Sequence, residues 1–228
     1  MRQDIFQCGI SGFTDAEKAI NKFYAQTNEI YRLRVPFEAI YTSVFLIKSP
    51  IGAILVDCAT TGEDVDRYIL PALKEMNYEL ADIRILVLTH KHGDHAGGLA
   101  RVLSLAPNVE VVTHVRRLCD GITTYSMPGH TEDCVGLLDT RSHTLISGDG
   151  LQGAGVDKYR CSVKSLTSYL KTIEKIQNDT RIENVLFSHA YEPWDRDSII
   201  GRHEVEACLS ECIKYVKVEE NEGNTCKR

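Results

Sequence analysis

The sequence predicts an α/β fold in which strands and helices alternate along the chain. Short apolar runs typical of buried strands, such as residues 83–88, are followed by segments whose apolar residues recur at helical spacing, such as residues 99–106. Residues rich in histidine and aspartate come directly after several of the apolar runs. Open α/β sheets usually place their sites beyond the carboxyl ends of strands, so we expect a functional site built from these segments.

The N-terminal part of the chain predicts one helix and one hairpin. Thr14 followed by Glu17 has the form of a capping box and precedes an amphipathic run, which indicates a helix over residues 14–32. Its expected role is packing, with lining of a substrate cleft as the alternative. Residues 37–58 carry dense apolar residues on both sides of a turn at residues 49–52, which predicts a β-hairpin.

The remaining elements follow from the period of the apolar residues. Strands are expected near residues 83–88, 109–113, 122–127, 134–139, 143–147 and 185–187. Helices are expected over residues 63–76, 99–106, 163–176 and 201–217. Pro71 predicts a kink or a break in the first of these helices, because proline lacks a backbone N–H and its ring clashes with the preceding turn.

Composition and charge limit the classes of protein to which the chain can belong. With 228 residues, of which 43% are apolar and 25% charged, the chain predicts one globular domain over residues 1–228. Residues 1–36 are expected to form an N-terminal helical extension, and residues 218–228 a polar tail. The formal net charge is −6 and no basic stripe balances it, so a nucleic-acid partner is not expected.

The chain shows no secretory or membrane signal. Residues 1–10 lack an apolar core long enough for a signal peptide, and no apolar run reaches membrane-spanning length. We therefore expect a cytoplasmic protein with no membrane partner, whose 8 cysteines are reduced thiols. Cys58 and Cys134 lie close to the site motifs, and a small buried side chain is the expectation for both.

The densest group of possible metal ligands lies in residues 89–98, which read THKHGDHAGG. Four possible ligands fall within six residues of this segment: His90, His92, Asp94 and His95. Side chains alternate along an extended chain, which sends the first two histidines to the same side. Gly93 lacks a Cβ and is expected to let the loop turn tightly. Imidazole and carboxylate together suit zinc, iron or manganese, so this segment predicts a metal site.

Further motifs follow in an order typical of one family. LVDCAT places Asp57 after a predicted strand, while PGHT, SGD and a strand-end histidine supply His130, Asp149 and His189. Together with the HxHxDH pattern, these motifs resemble those of the metallo-β-lactamase superfamily. The resemblance implies an αββα sandwich, in which two mixed β-sheets pack face to face with helices outside.

The resemblance also implies two sets of metal ligands that share one aspartate. One divalent ion would be held by His90, His92 and His130. The other would be held by Asp94, His95 and His189, and Asp149 would bridge the two ions. Asp57 is similar to the residue that orients a ligating histidine through its free ring nitrogen. The implied cofactor is therefore two divalent metal ions, with zinc expected first and iron or manganese as alternatives.

Differences among branches of the family narrow the expected activity. Asp149 stands where one major lactamase subclass has cysteine, so antibiotic hydrolysis is not expected. His92 stands where flavodiiron oxidoreductases have glutamate, which argues against reduction of oxygen or nitric oxide. Gln152 lies near the position where acyl-homoserine lactonases carry a tyrosine, and the segment after Asp149 lacks the glutathione-clamping pattern of glyoxalase II. Both of these branches share the bridging aspartate, so both remain open.

The resemblance implies metal-dependent hydrolysis of a small-molecule substrate. A metal-bridging hydroxide would attack an ester, thioester, lactone or phosphodiester centre. Asp94 is expected to orient that hydroxide and to move its proton, with a plain ligand role as the alternative. Tyr191 is a candidate donor to the oxyanion. Lys158 and Arg160 are candidate contacts for an anionic substrate group.

Two other functions remain open from the sequence. A mononuclear iron oxygenase of the persulfide-dioxygenase kind would use the first histidine pair and an aspartate on one iron, and would not need the second ligand set. A binding or sensing protein of the same fold would not need an intact site. The natural substrate and the oligomeric state do not follow from the sequence.

Overall fold

The computed structural model describes residues 22–37, 40–151, 163–190 and 196–221. These residues form two six-stranded sheets with helices on their outer faces. Among the helices of the described ranges, none has the length and apolar character that a membrane span requires.

The first sheet comes from the N-terminal half of the chain, with its strands in sequence order. Its strands are β1 (Tyr24–Ala25), β2 (Ile30–Phe37), β3 (Ile40–Ser49), β4 (Gly52–Val56), β5 (Ile83–Val87) and β6 (Glu110–Val112). Strands β1 to β4 pair antiparallel, and β4, β5 and β6 pair in parallel. The predicted hairpin is confirmed, because β3 and β4 pair around the turn that follows Ser49.

The second sheet comes from the C-terminal half of the chain. Its strands are β7 (Arg117–Cys119), β8 (Ile122–Ser126), β9 (Val135–Asp139), β10 (Thr144–Ile146), β11 (Asn184–Leu186) and β12 (Ser198–Ile200). Their order across the sheet is β12-β11-β10-β9-β8-β7. Strands β10 and β11 pair in parallel, and the other described neighbours pair antiparallel. Both sheets are therefore mixed.

The described helices pack outside the sheets. They are α1 (Gly62–Asp64), α2 (Leu70–Glu75), α3 (Gly93–Ala96), α4 (Leu99–Leu105), α5 (Leu166–Asn178) and α6 (Arg202–Asn221). Thr61 caps α1, since its hydroxyl accepts a hydrogen bond from the backbone N–H of Asp64. A π-helical turn over Val65–Ile69 separates α1 from α2, and Pro71 lies in the first turn after it. This break agrees with the expectation for Pro71, since a proline ring does not fit a regular preceding turn.

Three apolar layers hold the sheets and helices together. The layer between the sheets includes Ile54 and Val56 of β4, which face residues such as Leu137 of β9. The alternate residues of the same strand, Ala53 and Leu55, pack under the helices of the first sheet. A third layer lies between the second sheet and helices α5 and α6. Strands buried on both faces read as continuous apolar runs, and this arrangement is the expected αββα sandwich.

The predicted helix over residues 14–32 is wrong where it can be compared. Residues 14–21 lie outside the described ranges, but Tyr24–Ala25 and Ile30–Phe37 are strands, so this part of the predicted helical extension is not helical. The reason is a charged residue at an inward position. Arg32 lies between the sheets on the same side of the strand as Ile30, so a charged residue interrupts the alternation of apolar and polar residues that indicates a strand. The conformation is then set by pairing with β3.

Other differences are small. The predicted strands and the later helices occur within a few residues of their expected bounds, whereas β7 and β12 were not expected. Helix α6 continues to Asn221, past the expected start of the polar tail at residue 218. The single domain over residues 1–228 remains a prediction.

Candidate metal centre

The candidate site lies where five strands end at one side of the sandwich. Strands β4, β5, β8, β10 and β11 are each followed, within four residues, by one of the residues singled out in the sequence. In that order, these residues are Asp57, His90, His130, Asp149 and His189. Asp94 and His95 lie on the short helix α3, and His92 is the residue just before that helix.

Close backbone contact fixes the loop that carries the HxHxDH pattern. A Cβ at Gly97 would lie 1.8 Å from the carbonyl oxygen of Thr60, and one at Gly98 would lie 2.1 Å from that of Cys58. Both positions therefore require glycine, and the loop after β5 sits directly against the loop after β4. Gly93 differs from its expected role, because a Cβ there would meet no atom of the described residues within 4 Å.

The first group of possible ligands contains three histidines. His90, His92 and His130 each offer a ring nitrogen, and these three atoms lie within 4.8 Å of one another. The Nδ1 atom of His92 is 2.9 Å from the Nε2 atom of His130. His90 is 2% exposed, and its buried Nε2 makes no hydrogen bond with the described residues. These nitrogens therefore converge on one point.

The second group contains two histidines and two aspartates. Asp94, His95, Asp149 and His189 each offer one atom, again within 4.8 Å of one another. The Nε2 atoms of His95 and His189 are 3.2 Å apart, and each lies 3.2 Å from Oδ2 of Asp94. Both rings also lie 3.3 Å from Oδ1 of Asp149.

Asp149 connects the two groups through its two oxygens. Its Oδ1 faces His95 and His189, while its Oδ2 lies 3.8 Å from Nε2 of His90 and 3.7 Å from Nε2 of His130. Asp149 is 6% exposed and lies in a 3₁₀ turn that follows β10. A single carboxylate thus faces a possible ligand set on each side.

Outer hydrogen bonds set the orientation of the histidines in the second group. Nδ1 of His95 donates to Oδ2 of Asp57 at 2.7 Å, and Nδ1 of His189 donates to the carbonyl oxygen of Tyr41 at 2.7 Å. Thr89 holds the Asp57 carboxylate through its backbone N–H at 2.8 Å and its hydroxyl at 2.8 Å. Each ring therefore carries hydrogen on Nδ1 and directs Nε2 toward the aspartates of the site.

Burial favours the neutral form of two histidines in the first group. Burial and the neighbouring His95 lower the pKa of His90 to about 2. Burial and His130 also lower the pKa of His92. Neutral imidazole is the form that binds a metal ion, so these two histidines can bind a cation at neutral pH.

In the second group, the charges of neighbouring residues outweigh the effect of burial on the pKa values. Burial opposes the charged form of His189, but Asp149 and Asp94 outweigh it and raise the pKa of the ring to about 9. Burial likewise opposes ionisation of Asp149, but His189 and His95 hold the pKa of this carboxyl well below its ordinary value. The carboxylate stays ionised, and a divalent cation would take the place of the ring protons.

The donor set fits two divalent metal ions. Each group supplies at least three nitrogen or oxygen atoms, as a catalytic zinc site does, and the buried Nε2 of His90 needs a partner. Such a pair of His/Asp groups is consistent with a dinuclear metal site.

Comparison with known proteins agrees with the fold. Residues 38–118 match the sequence profile of the metallo-β-lactamase superfamily. The solved structure of the metallo-β-lactamase FIM-1 from Pseudomonas aeruginosa, in its mono-zinc form, superposes with a TM-score of 0.65 at 18% identity. The alignment covers 85% of this chain and 95% of that one. Residues 38–118 are therefore similar in sequence to the metallo-β-lactamase superfamily, and the described residues share its fold.

The chain is also similar to several other known proteins. A beta-lactamase-like protein 2 homolog of Drosophila melanogaster is 30% identical over 164 residues, which cover 59% of this chain and 54% of the fly protein. A hydroxyacylglutathione hydrolase of Legionella pneumophila is 24% identical over 181 residues, which cover 72% of this chain and 67% of that enzyme. A metallo-β-lactamase from Erythrobacter litoralis, with β-mercaptoethanol in its active site, superposes with a TM-score of 0.63 at 16% identity, covering 84% and 96% of the two chains. This chain thus spans about half the length of the fly relative.

Some of the predicted metallo-β-lactamase site residues lie within the described part of the chain, and others do not. The seven predicted ligands lie together in the two groups described above, and Asp57 lies behind His95. Tyr191, Lys158 and Arg160 lie outside the described residues, as does Gln152. Their expected roles therefore remain predictions.

Sequence reasoning missed three residues next to this site. Thr89 joins Asp57 to the histidine loop, and its place directly before His90 was a usable signal. Tyr41 contacts His189 through a backbone oxygen, which leaves no trace in residue type. Lys164 lies with Nζ 3.4 Å from Nε2 of His92, although the two residues are 72 positions apart.

The cysteines near the metallo-β-lactamase motifs are buried, as expected. Cys58 is 0% exposed, and burial and the nearby Asp57 raise the pKa of its thiol to about 12. Burial also raises the pKa of Cys134, whose sulfur lies 3.0 Å from the hydroxyl of Thr131. Both are thiols rather than thiolates at neutral pH, so neither has the form of a nucleophile. Among the described cysteines, Cys58, Cys119 and Cys134 form no disulfide.

Proposed function

We propose that this protein is a metal-dependent hydrolase that uses two divalent ions, one in each ligand group. The observation that carries the proposal is Asp149, because its two carboxylate oxygens face different groups at 3.3 Å and at 3.7–3.8 Å. A carboxylate in this position could bind both ions, as carboxylates do in two-metal hydrolases.

Zinc is the proposed metal. Imidazole and carboxylate ligands suit zinc, with iron and manganese as alternatives. The structural relative from Pseudomonas aeruginosa is a zinc form, which supports the same choice here. Bound ions of this kind would lower the pKa of a coordinated water and polarise the carbonyl or phosphoryl oxygen of a substrate.

Asp94 is the proposed proton carrier. Its Oδ2 lies 3.2 Å from the Nε2 atoms of both His95 and His189. Hydrogen bonds from those rings hold the pKa of Asp94 below its ordinary value, although burial acts to raise it. The ionised carboxylate can orient a water molecule through its second oxygen and accept its proton.

The proposed substrate is a thioester or ester that carries an anionic group. The relatives named hydroxyacylglutathione hydrolase support thioester hydrolysis in general terms. Lys164 supports the anionic group, because its ammonium lies at the exposed edge of the first ligand group, 3.4 Å from Nε2 of His92. Its backbone N–H donates to the carbonyl oxygen of Gly129, next to His130, which ties this position to the site.

The ring orientation of His92 strengthens this assignment. Its Nδ1 faces His130, so Nε2 faces Lys164 and the surroundings. A neutral ring that binds a metal through Nδ1 carries its hydrogen on Nε2. Two donors, one of them charged, would then lie side by side, which suits a carboxylate or phosphate oxygen.

Metal analysis combined with a substrate panel tests the proposal. The purified protein, with its metal content determined, is assayed with matched ester, thioester, lactone and phosphodiester compounds. Two divalent ions per chain together with hydrolysis of a thioester or ester would support the proposal. One iron per chain with oxygen consumption would instead indicate an oxygenase, and two bound ions without turnover of any compound would indicate a binding or sensing protein.

A further inference from the structure

A buried ion pair lies behind His189, on the side away from the ligand groups. Asp197, just before β12, accepts hydrogen bonds at its Oδ2 from the hydroxyl of Tyr41 at 2.7 Å and from the guanidinium of Arg34 at 2.6 Å. The same oxygen forms an ion pair with Arg32. Side chains from β2 and β3 of the first sheet thus meet one carboxylate of the second.

Arg32 is the unusual member of this group, because it is only 1% exposed. Its guanidinium carbon lies 5.0 Å from the centre of the Phe45 ring, and its NH2 group donates to the carbonyl oxygens of Asp197 at 2.6 Å and Phe187 at 3.3 Å. A buried charge pair rarely stabilises a protein more than apolar packing would. Such a pair is better explained by the arrangement of the backbone segments that it holds in place.

In this protein the ion pair lies beside the backbone segment that carries His189. The backbone N–H of Phe187 donates to the carbonyl oxygen of Asp197 at 2.9 Å, and that of Ser43 donates to the carbonyl oxygen of Ser188 at 2.8 Å. Nδ1 of His189 then donates to the carbonyl oxygen of Tyr41 at 2.7 Å. The residue whose hydroxyl binds Asp197 is therefore also the residue whose backbone orients His189.

We propose that the network of Arg32, Tyr41 and Asp197 positions His189 for metal binding in the second ligand group. The inference rests on the metal site of the proposed function. Asp57 orients His95 directly with a carboxylate, whereas the network orients His189 through a backbone carbonyl held in place from both sheets. All three are positioning residues, because they act on the metal site through the placement of His189.

A second buried carboxylate that pairs with an arginine provides the control. Asp139 is 0% exposed and accepts from the guanidinium of Arg141 at 2.6 and 2.8 Å. It lies at the end of β9 away from the site, since Val135 at the other end bonds to Thr89. Asp197→Asn and Asp139→Asn each remove one buried negative charge that pairs with an arginine, so both should lower the melting temperature.

The test is a titration of metal-free protein with Co²⁺, followed by its visible absorption, for wild type and the two variants. The wild type should bind two ions. Asp197→Asn should weaken one of the two binding constants by about tenfold, the lower end of the effect of outer partners on metal affinity, and leave the other unchanged. Asp139→Asn should change neither constant. Tyr41→Phe, which removes a single hydroxyl, should weaken the same constant by a smaller factor and replaces Asp197→Asn if that variant does not fold.

Unchanged constants in Asp197→Asn and Tyr41→Phe would overturn the inference. It would also fail if both constants fell equally in Asp197→Asn, since that would indicate general loosening. A wild type that binds fewer than two ions would instead contradict the proposed dinuclear site, so the two failures are distinguishable.

Discussion

His95 donates the hydrogen of its Nδ1 atom to Oδ2 of Asp57 across 2.7 Å. Nε2 is thereby directed toward Asp94 and Asp149. Asp57 accepts two hydrogen bonds from Thr89 and has a φ of 62°, a left-handed conformation that aspartate and asparagine adopt more readily than most residues. The orientation of one candidate ligand thus depends on a carboxylate fixed in an uncommon backbone conformation.

Asp57→Asn should weaken metal binding without preventing folding. Asparagine keeps the shape and tolerates the positive φ, but it loses the charge that favours hydrogen on Nδ1 of His95. We expect the affinity for one of the two ions to fall about 10- to 100-fold. Competition with a chromophoric chelator measures this affinity. Asp66→Asn, which removes an exposed carboxylate that pairs with Arg101, is the control, and equal affinities in the two variants would contradict the role of Asp57.

Asp149→Ala should remove at least one metal ion and abolish hydrolysis. The change deletes the carboxylate that faces both groups and would leave two cations close together without their shared anion. Elemental analysis of the purified variant measures the outcome. Asp133→Ala removes a more exposed carboxylate that pairs with Lys91 and should keep both ions. Full turnover with two ions in Asp149→Ala would rule out the bridge.

Asp94→Asn separates proton transfer from metal binding. Asparagine keeps one ligating oxygen, but it cannot act as a base. If Asp94 moves the proton, kcat should fall by about 10²–10⁴ while much of the metal remains. Turnover and metal occupancy are measured on the same sample, with His90→Ala as the variant that should fail through metal loss. Near-normal kcat at full occupancy would leave Asp94 as a ligand without a proton role.

Lys164→Met should weaken binding of anionic substrates alone. An exposed charge contact contributes little binding free energy, so we expect KM for a carboxylate-bearing thioester to rise about two- to fivefold. KM for the corresponding uncharged amide should not change, and kcat should stay the same. Lys91→Met removes a charge from the adjacent loop, where Lys91 pairs with Asp133 at 3.2 Å, and should leave both KM values unaltered. Equal effects of Lys164→Met on the charged and uncharged compounds would refute the contact.

Asp197 should make stability depend on pH in the acid range. Burial acts to raise the pKa of its carboxyl, but the charge of Arg32 and hydrogen bonds from Arg32 and Tyr41 outweigh it and lower the pKa to about 2. The unfolded chain has a pKa of about 3.9 and so binds the proton first as pH falls. The contribution is therefore complete above about pH 5 and is lost progressively toward pH 2.

Urea unfolding of metal-free wild type and Asp197→Asn tests this dependence. The variant does not titrate at this position, so its deficit in unfolding free energy should shrink by about 1 kcal/mol between pH 5 and pH 3. Parallel stability curves for the two proteins would show that the carboxyl of Asp197 has the same pKa in the folded and unfolded states.

Much of the candidate site could be predicted because its residues follow apolar runs. His90, Asp149 and His189 each come shortly after a run of buried residues, and the end of a strand is visible in sequence as the end of that run. The same reasoning failed at Arg32, where a buried charge interrupts the pattern of a strand. It also assigned the tight turn to Gly93, while the close approach of two loops falls at Gly97 and Gly98.

The sequence by itself therefore determined the alternation of strands and helices and the residue types of the site, because apolar period and ligand chemistry are local properties. The αββα layers were expected only from the resemblance of the motifs to those of a known family. The tertiary structure decided which atoms face one another. Packing of the two sheets brings Nδ1 of His92 toward His130, places one oxygen of Asp149 against each group and joins Tyr41 to His189. These contacts connect residues up to 148 positions apart, and their geometry depends on the relative placement of whole strands, which no local pattern records.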